Sequence, residues 1–324
     1  MATRATATDA PATASTSTEP MRSLAFALLA ACSSSPPQTN DAGADADTIA
    51  DAGKDTVTSD APKTTWTPAV GERWQYQLQG GVNASITAAP NGGGAPVAPK
   101  VFDIDLYASD GTTPNAAGVA QVHGIGAHAI CYVDAGTYEN FRPDSADYTA
   151  FDTSCGGCLL GKNNGWPGEQ WLDVNDDKGQ RSFILAELAK RLDKCVAANF
   201  DGVEFDNVDG YANDTGFTIA AQTQEDFDKA LAALAHQKGL TVALKNDVEQ
   251  ISDLAPYFDY AVNEQCFEFS ECDQYAPFLN QGKAVFNVEY NAQPSAFCAP
   301  AITLKMSAIE KDLALADVPW TPCD

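Results

Sequence analysis

Seven short apolar runs along residues 74–290 read as β-strands, and six of them end on a polar or acidic cluster. The runs are WQYQL (74–78), VFDIDLY (101–107), AICYVDAG (129–136), DGVEFD (201–206), LTVALKN (240–246), YAVNEQC (260–266) and KAVFNVEY (283–290). The clusters are DID, YVDAG, EFDN, LKND, NEQ and NVEY. Between the runs lie stretches with helical periodicity. SFILAELAKRLDKCVAAN (182–199) puts Phe183, Leu185, Leu188, Leu192 and Val196 on one face. QEDFDKALAALAHQKG (224–239) closes on Lys238 and Gly239, as a helix C-terminus does, and a last helical segment is expected over ITLKMSAIEKDLAL (302–315). Strands alternating with helices indicate βα units around a parallel sheet. The first strand is not followed by the glycine-rich turn of nucleotide-binding folds. A (β/α)8 TIM-type barrel of the α/β class remains, and it would gather the strand-end clusters at one mouth.

The strand FDGVEFDNVDGY (200–211) is the most constraining of these. Strand side chains alternate faces, so Glu204 and Asp206 share one face while Val203 and Phe205 share the other. The apolar pair is expected to pack under the helices and the acidic pair to point into the barrel, with Asp206 nearer the mouth. Ionised groups there cost several kcal/mol unless paired or solvated, so they need a reason to exist. Glu264 and Glu289 stand at two further strand ends. Two carboxyls from different strands facing one cleft are the minimum equipment for glycoside hydrolysis. Spacing alone leaves three readings open: a glycosidase pair, a divalent-metal site, and a structural ion network.

Residues 64–324 hold 36 acidic against 15 basic side chains, a surface that repels nucleic acid and attracts cations. The segment before them is different in kind. MRSLAFALLAAC (21–32) has a short apolar run too brief to span a bilayer, followed by Leu29-Ala30-Ala31-Cys32, which resembles a bacterial lipobox. Residues 1–32 are therefore expected to be a lipoprotein signal, with Met21 a candidate start and Cys32 the lipid-bearing residue. That anchor is the sole membrane contact expected, in an exported chain tethered to a membrane or cell surface. Residues 33–63 are Ala, Asp, Thr, Ser and Pro and read as a flexible linker; a single catalytic domain follows over 64–324, expected to act as a monomer.

Eight cysteines besides Cys32 point to disulfides in an oxidising compartment. Cys266–Cys272 and Cys298–Cys323 are expected to close. Cys155–Cys158 is close-spaced and strained, and Cys131–Cys195 would tie a strand to a later helix. With three histidines, a zinc site is poorly supported. DVNDDKG (173–179) spaces acids as a calcium loop does but lacks Gly at its sixth position and Glu at its twelfth, so it reads as a helix cap. No cofactor and no metal is expected.

The motifs, taken in order, resemble the glycoside hydrolase family 114 domain, of the endo-α-1,4-polygalactosaminidase type. The matching stretches are WQYQLQG (74–80), FDIDLYAS (102–109), AICYVDAGTYENFRPD (129–144), GWPGEQWLDV (165–174), FDGVEFDNVDGYANDTGF (200–217), GLTVALKND (239–247), FDYAVNEQCFEFSEC (258–272) and GKAVFNVEY (282–290). Phe205 stands where the family usually has Pro, and Asp134 where it commonly has Ser. The resemblance implies hydrolysis of α-1,4-linked galactosamine polymers, with Asp206 as nucleophile or base and Glu264 as acid. It adds Glu204, Asp105, Tyr132, Asp134, Asn207, Asp209, Tyr211, Lys245, Asn246, Glu289 and Trp166 as expected sugar contacts or supports. De-N-acetylated galactosamine is cationic, so a cationic amino-sugar polysaccharide is the expected partner of so acidic a domain. Trp166, Trp171, Tyr132, Tyr138 and Tyr211 are candidate aromatic platforms. Two rivals are a carbohydrate-binding lipoprotein without activity on the same barrel, and a metal-dependent hydrolase.

Overall fold

The computed structural model describes residues 66–90 and 93–324. The expected signal, lipobox Cys32 and the whole of the 33–63 linker lie outside the described residues. Among those residues, no helix is long and apolar enough to cross a membrane.

The described residues form eleven strands: β1 (Trp74–Gln77), β2 (Val101–Asp105), β3 (His128–Asp134), β4 (Thr137–Glu139), β5 (Glu169–Trp171), β6 (Gly202–Asp206), β7 (Thr241–Lys245), β8 (Tyr260–Glu264), β9 (Val285–Glu289), β10 (Ser307–Glu310) and β11 (Thr321–Pro322). The main sheet runs β1-β2-β3-β6-β7-β8-β9-β10-β11. Every neighbouring pair from β1 to β10 is parallel, and β11 returns antiparallel on β10. Eight parallel strands in chain order make the expected TIM-type barrel. No ladder joins β1 to β10, and other groups bridge that seam. Leu78 and Gln79 N–H donate to Leu315 O, and Lys311 Nζ donates to Gln75 Oε1 at 2.8 Å. Trp320 Nε1 donates to Trp74 O at 3.0 Å.

Two expectations need correction. The segment 302–315 is not one helix. Helix Pro294–Leu304 ends with Lys305 in the left-handed region, and Ser307–Glu310 forms the eighth strand beside β9. SAIE has only one β-branched residue, too little to announce a strand. The long helix, Gln180–Ala197, buries Ile184, Leu188, Arg191, Leu192 and Cys195 and leaves Val196 exposed. Its inward face is thus rotated from the expected one, and it carries Cys195, which is bridged to Cys131 on β3.

The remaining bridges, Cys155–Cys158, Cys266–Cys272 and Cys298–Cys323, are all closed. In the DVNDDKG segment, Asp176 accepts from Ser182 N–H at 3.2 Å and Ser182 Oγ at 3.0 Å, so this loop does cap the helix.

Two glycines show how tightly the barrel wraps its acidic strand. A Cβ on Gly202 would come within 2.6 Å of Thr241 Oγ1 and Tyr260 Oη. A Cβ on Gly136 would overlap Asn207 O, since Ala135 and Gly136 N–H both bond Asp206 O at 3.1 Å. The ends of β3 and β6 are therefore clamped together where Asp206 leaves the strand.

Candidate active site

The mouth of the barrel opens into a cleft of about 580 Å³. Asp206 and Glu264 both line it, from the last positions of β6 and β8. Beneath them sits Lys245, the last residue of β7 and 1% exposed. Its Nζ lies 2.9 Å from Glu204 Oε1, 2.9 Å from Asp206 Oδ1 and 3.5 Å from Glu264 Oε2. It also donates to Tyr76 Oη at 3.0 Å, and Tyr76 donates to Glu204 Oε1 at 3.1 Å. One buried ammonium thus ties three carboxylates from two strands to each other.

Asp206 is held on both oxygens. Tyr132 Oη donates to Oδ2 at 2.6 Å, and Asn207 N–H donates to Oδ1 at 2.9 Å. Burial pushes its carboxyl up, but Lys245, the Tyr132 hydroxyl and the Asn207 amide outweigh it and hold the group below the usual carboxylate range. Asp206 is an anion in the resting site. Glu204, fully enclosed one layer down, is pushed up by burial and partly restored by Lys245. Glu264 receives the hydroxyl of Tyr290 on Oε1, and its own N–H donates to Asn246 Oδ1 at 2.9 Å. Asn246 takes a left-handed conformation, which Asn tolerates better than most residues.

Most of the expected residues converge here. Asp105, Tyr132, Asn207, Asp209, Lys245, Asn246 and Trp166 line the cleft with the two carboxylates. Asp105 is gripped by Arg142, which donates Nη1 to Oδ1 at 2.9 Å and Nη2 to Oδ2 at 2.6 Å. Asp134 is buried beside the cleft, where it accepts from Thr137 N–H at 2.8 Å and Asn207 Nδ2 at 2.9 Å. Trp166 is exposed at the rim with Phe141 and Leu313, and Trp171 lies deeper. Tyr138 packs on Tyr148 at 6.1 Å, away from the opening. Tyr211 points sideways, donating to Asp247 Oδ1 at 3.0 Å.

Glu289 is a correction. It is fully buried outside the cleft lining, accepting Phe267 N–H at 2.9 Å and Asn287 Nδ2 at 3.1 Å at the start of helix Cys266–Phe269. On β9, Phe286 packs against Trp74, so the alternate position Asn287 and its partner Glu289 face the other way. The next residue, Tyr290, reaches Glu264 instead. Reading the sequence missed Tyr290, Tyr76 and Arg142. Tyr76 and Tyr290 had a usable signal, since each keeps the inward parity of its strand.

The carboxylates Asp134, Glu139 and Glu169 bring oxygens within 4.8 Å of one another, a spacing that suits a metal ion. Protein cations and donors already serve them, however. Arg142 Nε bonds Glu139 Oε1 at 2.7 Å, Arg191 Nη1 bonds its Oε2 at 3.1 Å, and Asn164 Nδ2 bonds Glu169 Oε2 at 2.6 Å. That grouping fits a structural network.

The comparisons with known proteins agree with this geometry. The model of glycoside-hydrolase family GH114 matches residues 55–323. The crystal structure of Aspergillus fumigatus Ega3 in complex with galactosamine superposes with a TM-score of 0.65 at 31% identity, covering 79% of this chain and 96% of that one. The glycoside hydrolase domain of PelA from Pseudomonas aeruginosa gives a TM-score of 0.50 at 16% identity, covering 69% and 90%, and so speaks to the fold alone. An uncharacterized protein of Deinococcus radiodurans is 26% identical over 266 residues, 77% of this chain and 79% of that protein. A family match over so much of the chain settles its membership: it belongs to glycoside-hydrolase family GH114 and is a glycoside hydrolase.

Proposed function

We propose that the chain is an endo-acting glycosidase that cleaves α-1,4-linked galactosamine polymers, with Asp206 as nucleophile and Glu264 as general acid, then base. The observation that carries this reading is Lys245 Nζ lying 2.9 Å from Asp206 Oδ1 and 3.5 Å from Glu264 Oε2, which keeps those oxygens no more than about 6.4 Å apart. That upper bound falls below the separation of about 6.5–9.5 Å that leaves room for an inverting water, and it favours retention, where the carboxyls stand about 5–5.5 Å apart. Asp206, ionised and fixed by three donors, suits attack on the anomeric carbon. The C1–O bond then breaks as Glu264 gives its proton to the leaving oxygen. Water later returns a proton to Glu264 and frees the sugar from Asp206.

The substrate class rests on charge and likeness. The cleft is lined by six carboxylates (Asp105, Glu139, Glu169, Asp206, Asp209 and Glu264) against Arg142 and Lys245, an excess that suits ammonium-bearing sugars. Ega3, whose structure holds galactosamine, is the similar protein that supports this choice. Export and anchoring through Cys32 belong to the same proposal and rest on the lipobox-like LAAC.

The test is incubation of the purified 64–324 domain with partly de-N-acetylated α-1,4-galactosamine polymer, with products read by mass spectrometry and the first-formed anomer by NMR. Short oligomers of retained α configuration are expected, and none from Asp206→Asn or Glu264→Gln. Full-rate cleavage by either variant removes that residue from its role.

A further inference from the structure

Below the catalytic layer the barrel holds another acid, Asp103, two residues before Asp105 on β2 and so on the same inward face. It is 0% exposed, as is Glu204. Among the described residues, neither oxygen of Asp103 meets an N–H donor or a hydroxyl, and neither does Oε2 of Glu204, whose other oxygen is taken by Tyr76 and Lys245. Three orphan acceptor atoms in a closed interior cannot all belong to anions, because an unpaired buried carboxylate costs several kcal/mol. Asp103 and Glu204 both face inward, from β2 and β6 with only β3 between them, so a single proton shared by the two carboxyls would satisfy these atoms.

We propose that Asp103 is carried as an un-ionised carboxylic acid that donates its O–H to Glu204 Oε2, and is a positioning residue for the site above. The titratable groups around it explain which partner keeps the proton. Tyr76 on β1, Asp206 on β6, Lys245 on β7 and Tyr260 on β8 stand around the pair. Lys245 contacts Glu204 directly and favours its anion, while among the described residues Asp103 has no cation in contact. Burial, and then the Glu204 charge, push Asp103 well above the usual carboxylate range. With Oε2 satisfied by Asp103, Glu204 presents a fixed anion to Lys245, and Lys245 is held beneath Asp206 and Glu264.

The role in turnover rests on the function proposed above, but the protonation does not, and the test separates them. Infrared spectra of the wild-type domain minus Asp103→Asn at neutral pH should show the C=O band of an un-ionised carboxylic acid, with no substrate present. In kinetics, Asp103→Asn replaces one neutral donor by another, so its pH profile should coincide with that of wild type and kcat should stay within about threefold. Asp103→Leu removes the donor and should lose roughly tenfold or more in kcat. Its Glu204 takes up a proton, so the Lys245 charge acts more strongly on Asp206 and the acidic limb of the profile moves to lower pH. Absence of the infrared band, or an Asp103→Asn profile displaced to lower pH as removal of an anion requires, overturns the protonation. An Asp103→Leu profile and kcat equal to wild type overturn the positioning role.

Discussion

Tyr290 donates its hydroxyl to Glu264 Oε1 from the position directly after β9, so the proposed general acid is gripped by a neighbouring strand rather than by its own. A hydroxyl on one oxygen fixes the rotation of the carboxyl, and Tyr290→Phe should leave Glu264 free to turn away from the leaving oxygen. The loss of orientation should lower kcat about tenfold, less than the full general acid–base contribution of about 10²–10⁴ because the acid itself remains. Initial rates at saturating substrate check this; an unchanged kcat would separate Tyr290 from the acid.

Lys245 makes a sharper prediction. Its ammonium touches Glu204, Asp206 and Glu264, and removing it leaves buried carboxylates facing one another. Lys245→Met should abolish measurable turnover and cost about 3–5 kcal/mol in denaturant unfolding, as breaking a buried pair does. Lys245→Arg should not rescue it, because a planar fork cannot take the place of a compact ammonium among three acids. Unfolding equal to wild type would show that the acids re-pair through protons alone.

Asp247 links pH to stability. Burial pushes its carboxyl up to about 7, while Tyr211 holds Oδ1 at 3.0 Å and Oδ2 has no partner among the described residues. A folded-state pKa above the unfolded value favours the protonated form. Its contribution is present below the unfolded pKa near 3.9 and is lost as pH rises through about 7. Asp247→Asn should thus stabilise the fold by about 1–3 kcal/mol at pH 8.5 and change little at pH 4. Asn also suits the left-handed backbone at this position. Thermal melts at the two pH values decide the matter; a gain of the same size at both would reject the titration.

The bridges should differ in access as well as worth. Cys131 and Cys195 are fully buried and close 64 residues, whereas Cys155 is partly exposed beside a three-residue link. Mild reductant on the native protein should open Cys155–Cys158 and leave Cys131–Cys195 intact. Replacing Cys131 and Cys195 by Ala should cost about 4 kcal/mol, and the same change at Cys266 and Cys272 about 2 kcal/mol, following loop length. Mass mapping of alkylated thiols and denaturant melts provide the readings.

The barrel was legible in the sequence because period-two strands ending in acids announce a shared mouth. Glu204 and Asp206 follow from the alternation in GVEFD, and they bond side chains on β1, β3 and β7 as that alternation requires. The same rule was enough to prefer Tyr290 over Glu289, but a carboxylate draws attention that a tyrosine does not. Arg142 was out of reach, since it arrives on a loop and joins Asp105 across 37 positions. The strand Ser307–Glu310 was hidden for a different reason: its pairing with β9 comes from closing the barrel, not from local propensity.

The last prediction concerns how the cleft tells cationic sugars from neutral ones. Asp105 is neutralised by Arg142, and Asp206 and Glu264 share Lys245, so their charges are largely spent inside the protein. Glu169 and Asp209 differ. They line the cleft, hold no salt bridge among the described residues, and are pushed up by burial and by acidic neighbours, which their hydrogen-bond donors only partly offset. An incoming ammonium would relieve that cost, and an acetamido group would not. Glu169→Gln and Asp209→Asn should each raise KM about five- to tenfold on de-N-acetylated polymer, with kcat nearly unchanged, since a charge-assisted hydrogen bond contributes about 1.5–3 kcal/mol before screening. On fully N-acetylated polymer the same variants should behave like wild type. Salt provides the second reading: with a Debye length of about 10 Å at 0.1 M, added salt should weaken kcat/KM on the cationic polymer more than on the neutral one. The variants should flatten that slope. Equal salt slopes for the two polymers in wild type would leave the acidic lining without a part in substrate choice.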